Sequence, residues 1–226
     1  MKMSTEGLIA LVGHEGIVRS RYRDSVGVWT IGVGHTAAAG GINPATYSGT
    51  LRMDEVIDLL RKDIANYEAA VDRAVKIPLK QHEFDALVSF HFNTGAIGKA
   101  SFVKKLNAGD RAGAMLGMME WRKPPEIIPR RTAERDLFQT GIYPPPYANV
   151  YPADHNGKVL WGKGERVNVR NLLAPPEPIP TPKPRPAPPV AESEPVAQKP
   201  ATIERKTSSG NWLATLITAI MKALGK

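Results

Sequence analysis

Eleven of the 20 prolines fall between Pro175 and Pro200 in a chain of 226 residues. Proline has no amide hydrogen and a fixed φ, so so dense a run can continue neither a helix nor a sheet ladder. The run divides the chain. Residues 175–210 are expected to be a linker of polyproline character, whose proline-dense part at about 3.1 Å per residue would reach up to roughly 80 Å. Before it lie an expected main domain over residues 1–141 and a small β-hairpin extension over 142–174. Beyond it, residues 211–226 read as a C-terminal amphipathic helix. Hydrophobic residues at 42% and charged residues at 23% exclude a wholly disordered chain.

There is no cysteine, which excludes disulfides, thiolate metal sites and cysteine nucleophiles. The net charge of +8 is spread as +3, +2 and +3 over residues 1–141, 142–174 and 175–226. Such a charge suits an anionic polymer or surface but does not choose among them. With no basic-aromatic motif, nucleic acid is not an expected partner. At the N-terminus Glu6 precedes the short apolar run Leu8–Val12, and His14 and Glu15 close it. A secretory signal needs a basic start and a longer apolar stretch, so none is expected, and synthesis is expected in the cytoplasm.

Helical spacing is read at residues 4–14, 53–75, 81–92, 101–107, 111–121 and 129–140, with stops at Pro78, Gly109 and Gly141. Val18 to Gly34 reads as two short strands around the turn Asp24-Ser25-Val26-Gly27. In 142–174, a hairpin is expected to turn at Asn156-Gly157.

Glu15, at the end of the first helix, and Asp24 and Thr30, on the hairpin after it, are the candidate catalytic group. Two carboxylates across an opening are what glycosidic bond cleavage needs, one as proton donor and one ionised. A free glutamic acid, with a pKa of about 4.3, is mostly ionised at neutral pH. A glutamate serving as acid therefore needs apolar neighbours, and Leu11, Val12 and Ile17 flank Glu15. Each residue alone has an ordinary explanation: a helix end, a turn, a strand. Their joint spacing arises by chance roughly 0.03 times in a chain of this composition.

That spacing, with the run TIGVGHT from Thr30 to Thr36, resembles the phage-type lysozymes of glycoside hydrolase family 24. Residues 90–110 (FHFNTGAIGKASFVKKLNAGD) and 130–141 (RRTAERDLFQTG) resemble the helical lobe of that family. The resemblance covers about residues 5–141. It implies an α+β, mainly α fold with two lobes, a small β-hairpin lobe and a larger helical one. The implied activity is hydrolysis of the β-1,4 bond between N-acetylmuramic acid and N-acetylglucosamine in peptidoglycan, with inversion. Glu15 would be the general acid, Asp24 would position the water, and Thr30 would assist at that water. Gly34, His35, Asn93 and Thr94 are the candidate substrate-binding residues; no metal and no cofactor are expected.

Other polar residues have plainer readings. His14 is expected to be exposed, and Arg130, Arg131 and Arg135 to form a solvated helix face. The terminal segment 211–226 carries seven large apolar residues from Trp212 to Leu224, a pattern suited to a membrane surface or to self-association. The chain is expected to act as a monomer on the cell wall after release by a holin-type factor. The alternative is a non-catalytic scaffold of the same fold that binds the wall or a partner and is tethered to a membrane.

Overall fold

The structure is a computed structural model that describes residues 1–174; the expected linker at 175–210 and terminal helix at 211–226 lie outside the described residues. Helix α1 (Thr5–Glu15) starts where the Ser4 hydroxyl accepts from the Gly7 amide at 2.9 Å. Ser4 is itself gripped by buried Asp85, which accepts from its amide at 3.1 Å and its hydroxyl at 2.5 Å. A Cβ at Gly7 would lie 2.4 Å from the Asp85 carboxyl carbon, so only glycine allows this close approach. Leu8, Ile9, Leu11 and Val12 bury the helix against the core.

A three-stranded antiparallel sheet follows, with β1 (Val18–Arg23), β2 (Trp29–Gly32) and β3 (His35–Thr36) in that order. The third strand is an addition to the expected pair. Gly32 and Gly34, at φ 69° and 77°, fold the chain back within two residues, which L side chains rarely permit. Tyr22 is the cross-strand partner of Thr30, and Arg23 of Trp29.

The helical part comprises α2 (Met53–Ala74), α3 (Gln81–Thr94), α4 (Ser101–Asn107), α5 (Arg111–Met118) and α6 (Ile128–Thr140). Its core is Leu60, Ile64, Phe84, Leu87, Phe90 and Phe102 with their neighbours, and α3 packs chiefly on α6. Helix α5 ends three residues before the expected Trp121. There the amides of Met119, Glu120 and Trp121 switch to carbonyls three residues back, a tightened final turn ahead of Pro124 and Pro125. The fold is thus α+β, mainly helical, with a small sheet lobe.

Residues 142–174 form a hairpin, and it is not peripheral. β4 (Tyr147–Val150) pairs with β5 (Glu165–Asn168), and α7 (Arg170–Leu173) closes the segment. Ala148, Val169 and Leu173 are buried in the same core as α1. The Ile17 amide donates to the Asn149 carbonyl and the Tyr151 amide to the Ile17 carbonyl, both at 2.8 Å. Between the strands a smaller turn at Asp154–Lys158 carries the expected Asn156-Gly157 pair, with Gly157 at φ 83°.

Candidate active site

Glu15 is the last residue of α1, where the carbonyl ends of the helix disfavour a negative charge. A cation compensates. Arg130 on α6 donates to Glu15 Oε1 at 2.6 Å and to Glu134 Oε1 at 2.9 Å. Burial works against the Arg130 charge, but Glu15 and Glu134 outweigh it and hold its pKa above the ordinary value. Beside it Arg131, only 1% exposed in its side chain, pairs with Glu134 and donates to the Trp121 carbonyl and to Asn93 Oδ1. Ser89 on α3 also donates to Glu134, at 2.7 Å.

This corrects the expected solvated helix face: Arg131 is buried, Arg130 is partly buried and pairs with Glu15, and Arg135 pairs with its neighbour Asp136. It also corrects the exposed reading of His14. That imidazole is partly buried, and its pKa is pushed down to about 4 by burial and by the charges of Arg130 and Arg131.

Asp24 is positioned locally. Its Oδ1 accepts from the amides of Val26 at 3.0 Å and Val28 at 2.8 Å, and Gly27 completes the turn at φ 83°. Among the described residues no group bonds the other oxygen, Oδ2. Glu15 and Asp24 line one open cleft of about 630 Å³, together with Tyr22, Asn156, Lys158 and Trp161. Tyr22 faces both carboxylates: burial first, then Glu15 and Asp24, raise its pKa to about 12, so it stays a neutral hydroxyl.

Thr30 is buried across the sheet from Tyr22, and its hydroxyl donates to the Val28 carbonyl at 3.1 Å. Its proton is committed, so its oxygen is left as an acceptor.

The candidate substrate-binding residues divide. Gly34 lines a smaller cavity of about 220 Å³ with Thr36, Asn66, Tyr67 and Phe92. Burial, then the charges of Asp63 and Glu15, raise the Tyr67 pKa. His35 is 2% exposed, with Nδ1 2.8 Å from Asp63 Oδ2 and Nε2 2.8 Å from the Ile42 carbonyl, so neither ring nitrogen faces an opening. The Asn93 carbonyl serves Arg131, and the Thr94 hydroxyl donates to the Phe90 carbonyl and accepts from the Ala96 amide at the end of α3. Asn93 is exposed and Thr94 partly buried.

Tyr22, Arg130 and Trp161 were not among the candidates. Tyr22 was the most accessible to sequence reasoning, because it stands two residues before Asp24 and a strand repeats its face every second residue. Nothing in residues 130–135 distinguishes a buried arginine from a solvated one.

The sequence profile described as phage lysozyme matches residues 12–134. The chain is 33% identical over 151 residues to the endolysin of Acyrthosiphon pisum secondary endosymbiont phage 1, covering 62% of this chain and 99% of that protein. The solved endolysin of Escherichia coli phage FAHEc1 is similar at 32% identity and a TM-score of 0.59, over 64% of this chain and 97% of that one. The muramidase domain of SpmX from Asticaccaulis excentricus is similar at 30% identity and a TM-score of 0.54, over 62% and 98%.

Proposed function

The chain belongs to the phage lysozyme family, and we propose that Glu15, Asp24 and Thr30 are its catalytic group, working as in glycoside hydrolase family 24. The protein is a lysozyme of the endolysin type: a glycosidase that hydrolyses the β-1,4 bond between N-acetylmuramic acid and N-acetylglucosamine in peptidoglycan and so lyses the cell. The non-catalytic scaffold alternative is not favoured.

The observation that carries the assignment is the shared cleft: Glu15 and Asp24 come from separate elements and line one open cleft of about 630 Å³. In the proposed reaction the Glu15 carboxylic acid gives its proton to the leaving glycosidic oxygen. Water donates one hydrogen to Asp24 Oδ2 and one to the Thr30 hydroxyl oxygen, which directs its lone pair at the anomeric carbon. As the carbon–oxygen bond breaks, that water adds from the opposite face, its proton passes to Asp24, and the product inverts. Arg130 positions Glu15 without touching the sugar.

Wild type and Glu15→Gln, compared on isolated peptidoglycan, test this. New reducing ends from muramic acid are expected with wild type and not with the variant, at unchanged thermal stability. Substantial cleavage by Glu15→Gln would remove Glu15 from the acid role.

The protein acts on the cell wall. Release by a holin-type factor, a monomeric state and membrane contact through residues 211–226 complete the proposal. Deleting 201–226 should leave cleavage of isolated peptidoglycan nearly unchanged and weaken binding to anionic vesicles; unchanged vesicle binding would overturn the membrane contact.

A further inference from the structure

We propose that Trp161 is a stacking platform for a pyranose ring of the glycan strand, on a wall that this chain adds to the lysozyme cleft. The inference rests on the reading of that cleft as the glycan site.

A single exposed apolar side chain is ordinary on a protein surface. Trp161 differs in where it stands and how firmly it is held. Its indole is 65% exposed, and it lines the same cleft as Glu15 and Asp24. It heads a single 3-10 turn, Trp161–Lys163, in the connection between β4 and β5. That hairpin lies beyond residues 12–134, the part matched by the family.

Two anchors fix the wall. Tyr151 meets the indole edge to face, with ring centroids 4.9 Å apart and planes at 71°. The Tyr151 ring is in turn clamped between glycines: a Cβ at Gly164 would lie 2.4 Å from its Cε1, and one at Gly16 would lie 3.0 Å from its Cε2. Gly16 directly follows Glu15, so one ring separates the indole from the backbone of the proposed acid.

The second anchor is at the tip, where the Arg23 amide donates to the Gly157 carbonyl at 2.8 Å, one residue before Asp24. Trp29 lies against Gly157, closer than a side chain there would allow, and Arg21 and Arg23 cover its ring at 4.7 and 4.2 Å. The wall is therefore built before substrate arrives, which lowers the ordering cost of binding.

The chemistry of the opening selects the ligand. A pyranose has an apolar C–H face and a polar rim. An exposed indole matches the first, and the polar groups of Asn156, Lys158 and Asp24 on the same cleft match the second. Two carboxylates lining the same cleft as Trp161 disfavour a lipid chain there.

The test uses the full chain and its Trp161→Ala and Trp161→Phe variants, with initial rates measured against the concentration of solubilised glycan strands. Binding of an N-acetylglucosamine tetramer is followed in parallel by calorimetry, a readout that needs no cleavage. Trp161→Ala is expected to raise KM and weaken tetramer binding by about tenfold, with kcat within about twofold. Trp161→Phe, which keeps a ring, is expected to recover most of both. Unchanged KM and tetramer affinity in Trp161→Ala, with wild type active, overturn the platform and leave the lysozyme assignment standing. A faster Trp161→Ala enzyme also overturns it, because the hairpin would then obstruct the cleft. A wild type that binds the tetramer without cleaving strands, and loses binding in Trp161→Ala, keeps the platform and removes the catalytic reading.

Discussion

Two turns face the same cleft and are built alike. At Asp24 the carboxylate Oδ1 accepts from the amides two and four residues on, and a glycine at φ 83° stands three residues on. At Asp154 the same oxygen accepts from Asn156 and Lys158, and Gly157 stands at φ 83°. Even the backbone closure repeats: each aspartate amide donates to the carbonyl four residues on, at 3.0 and 2.9 Å. What separates them is placement. Asp24 shares its cleft with Glu15, whereas the Asp154 carboxylate does not line it and the Asp154 tip is docked on Arg23 and Trp29. Turn chemistry alone, then, does not single out the proposed catalytic carboxylate; the partner across the gap does.

The largest expected effect separates the two aspartates by activity. Asn keeps the Oδ1 acceptor, so Asp24→Asn should hold its turn and lose about 10²- to 10⁴-fold in kcat, the usual weight of a general base. Asp154→Asn should stay within about twofold. Equal losses, measured as reducing ends released per minute, would break the distinction.

Next comes the scaffold that places Glu15 opposite Asp24. Glu134→Ala leaves Arg131 buried without its carboxylate, so urea denaturation should show about 3–5 kcal/mol of lost stability. A loss below about 1 kcal/mol would mean that the buried network does not set the site. The same network predicts a pH signature through His14. Its folded pKa of about 4 lies below the ordinary 6.5, so between those values the unfolded chain binds the extra proton. Stability should therefore fall as pH drops from about 6.5 to 4, by about 3 kcal/mol at full extent, and His14→Gln should flatten that slope.

The smallest contrast lies in the two turn glycines. Both occupy left-handed backbone, but a Cβ at Gly27 meets nothing within 4 Å, while one at Gly157 would lie 2.5 Å from Trp29 Cζ3. Gly27→Ala should cost about 1 kcal/mol of conformational strain. Gly157→Ala should cost about 2–3 kcal/mol, because the ring must also shift. Equal thermal shifts would show that the hairpin tip is loosely docked, and would weaken the preformed wall around Trp161.

Much of this was readable along the chain. Glu15, Asp24 and Thr30 lie within 16 residues, and helix end, turn and strand are local events that their own side chains specify. Helix stops followed from Pro78, Gly109 and Gly141 for the same reason. The third strand and the early end of α5 were less legible, since each depends on a few residues of backbone geometry rather than on a repeating pattern.

The sequence by itself determined the mainly helical fold and the spacing of the proposed catalytic group, because periodicity, turn chemistry and proline act over a few residues. Only the tertiary structure decided the partners. Arg130 reaches Glu15 across 115 positions, His35 spends both nitrogens inside the fold, and Trp161 enters the cleft on a hairpin packed against α1. Charge and exposure depend on what packs opposite, and that is fixed by burial of the whole core.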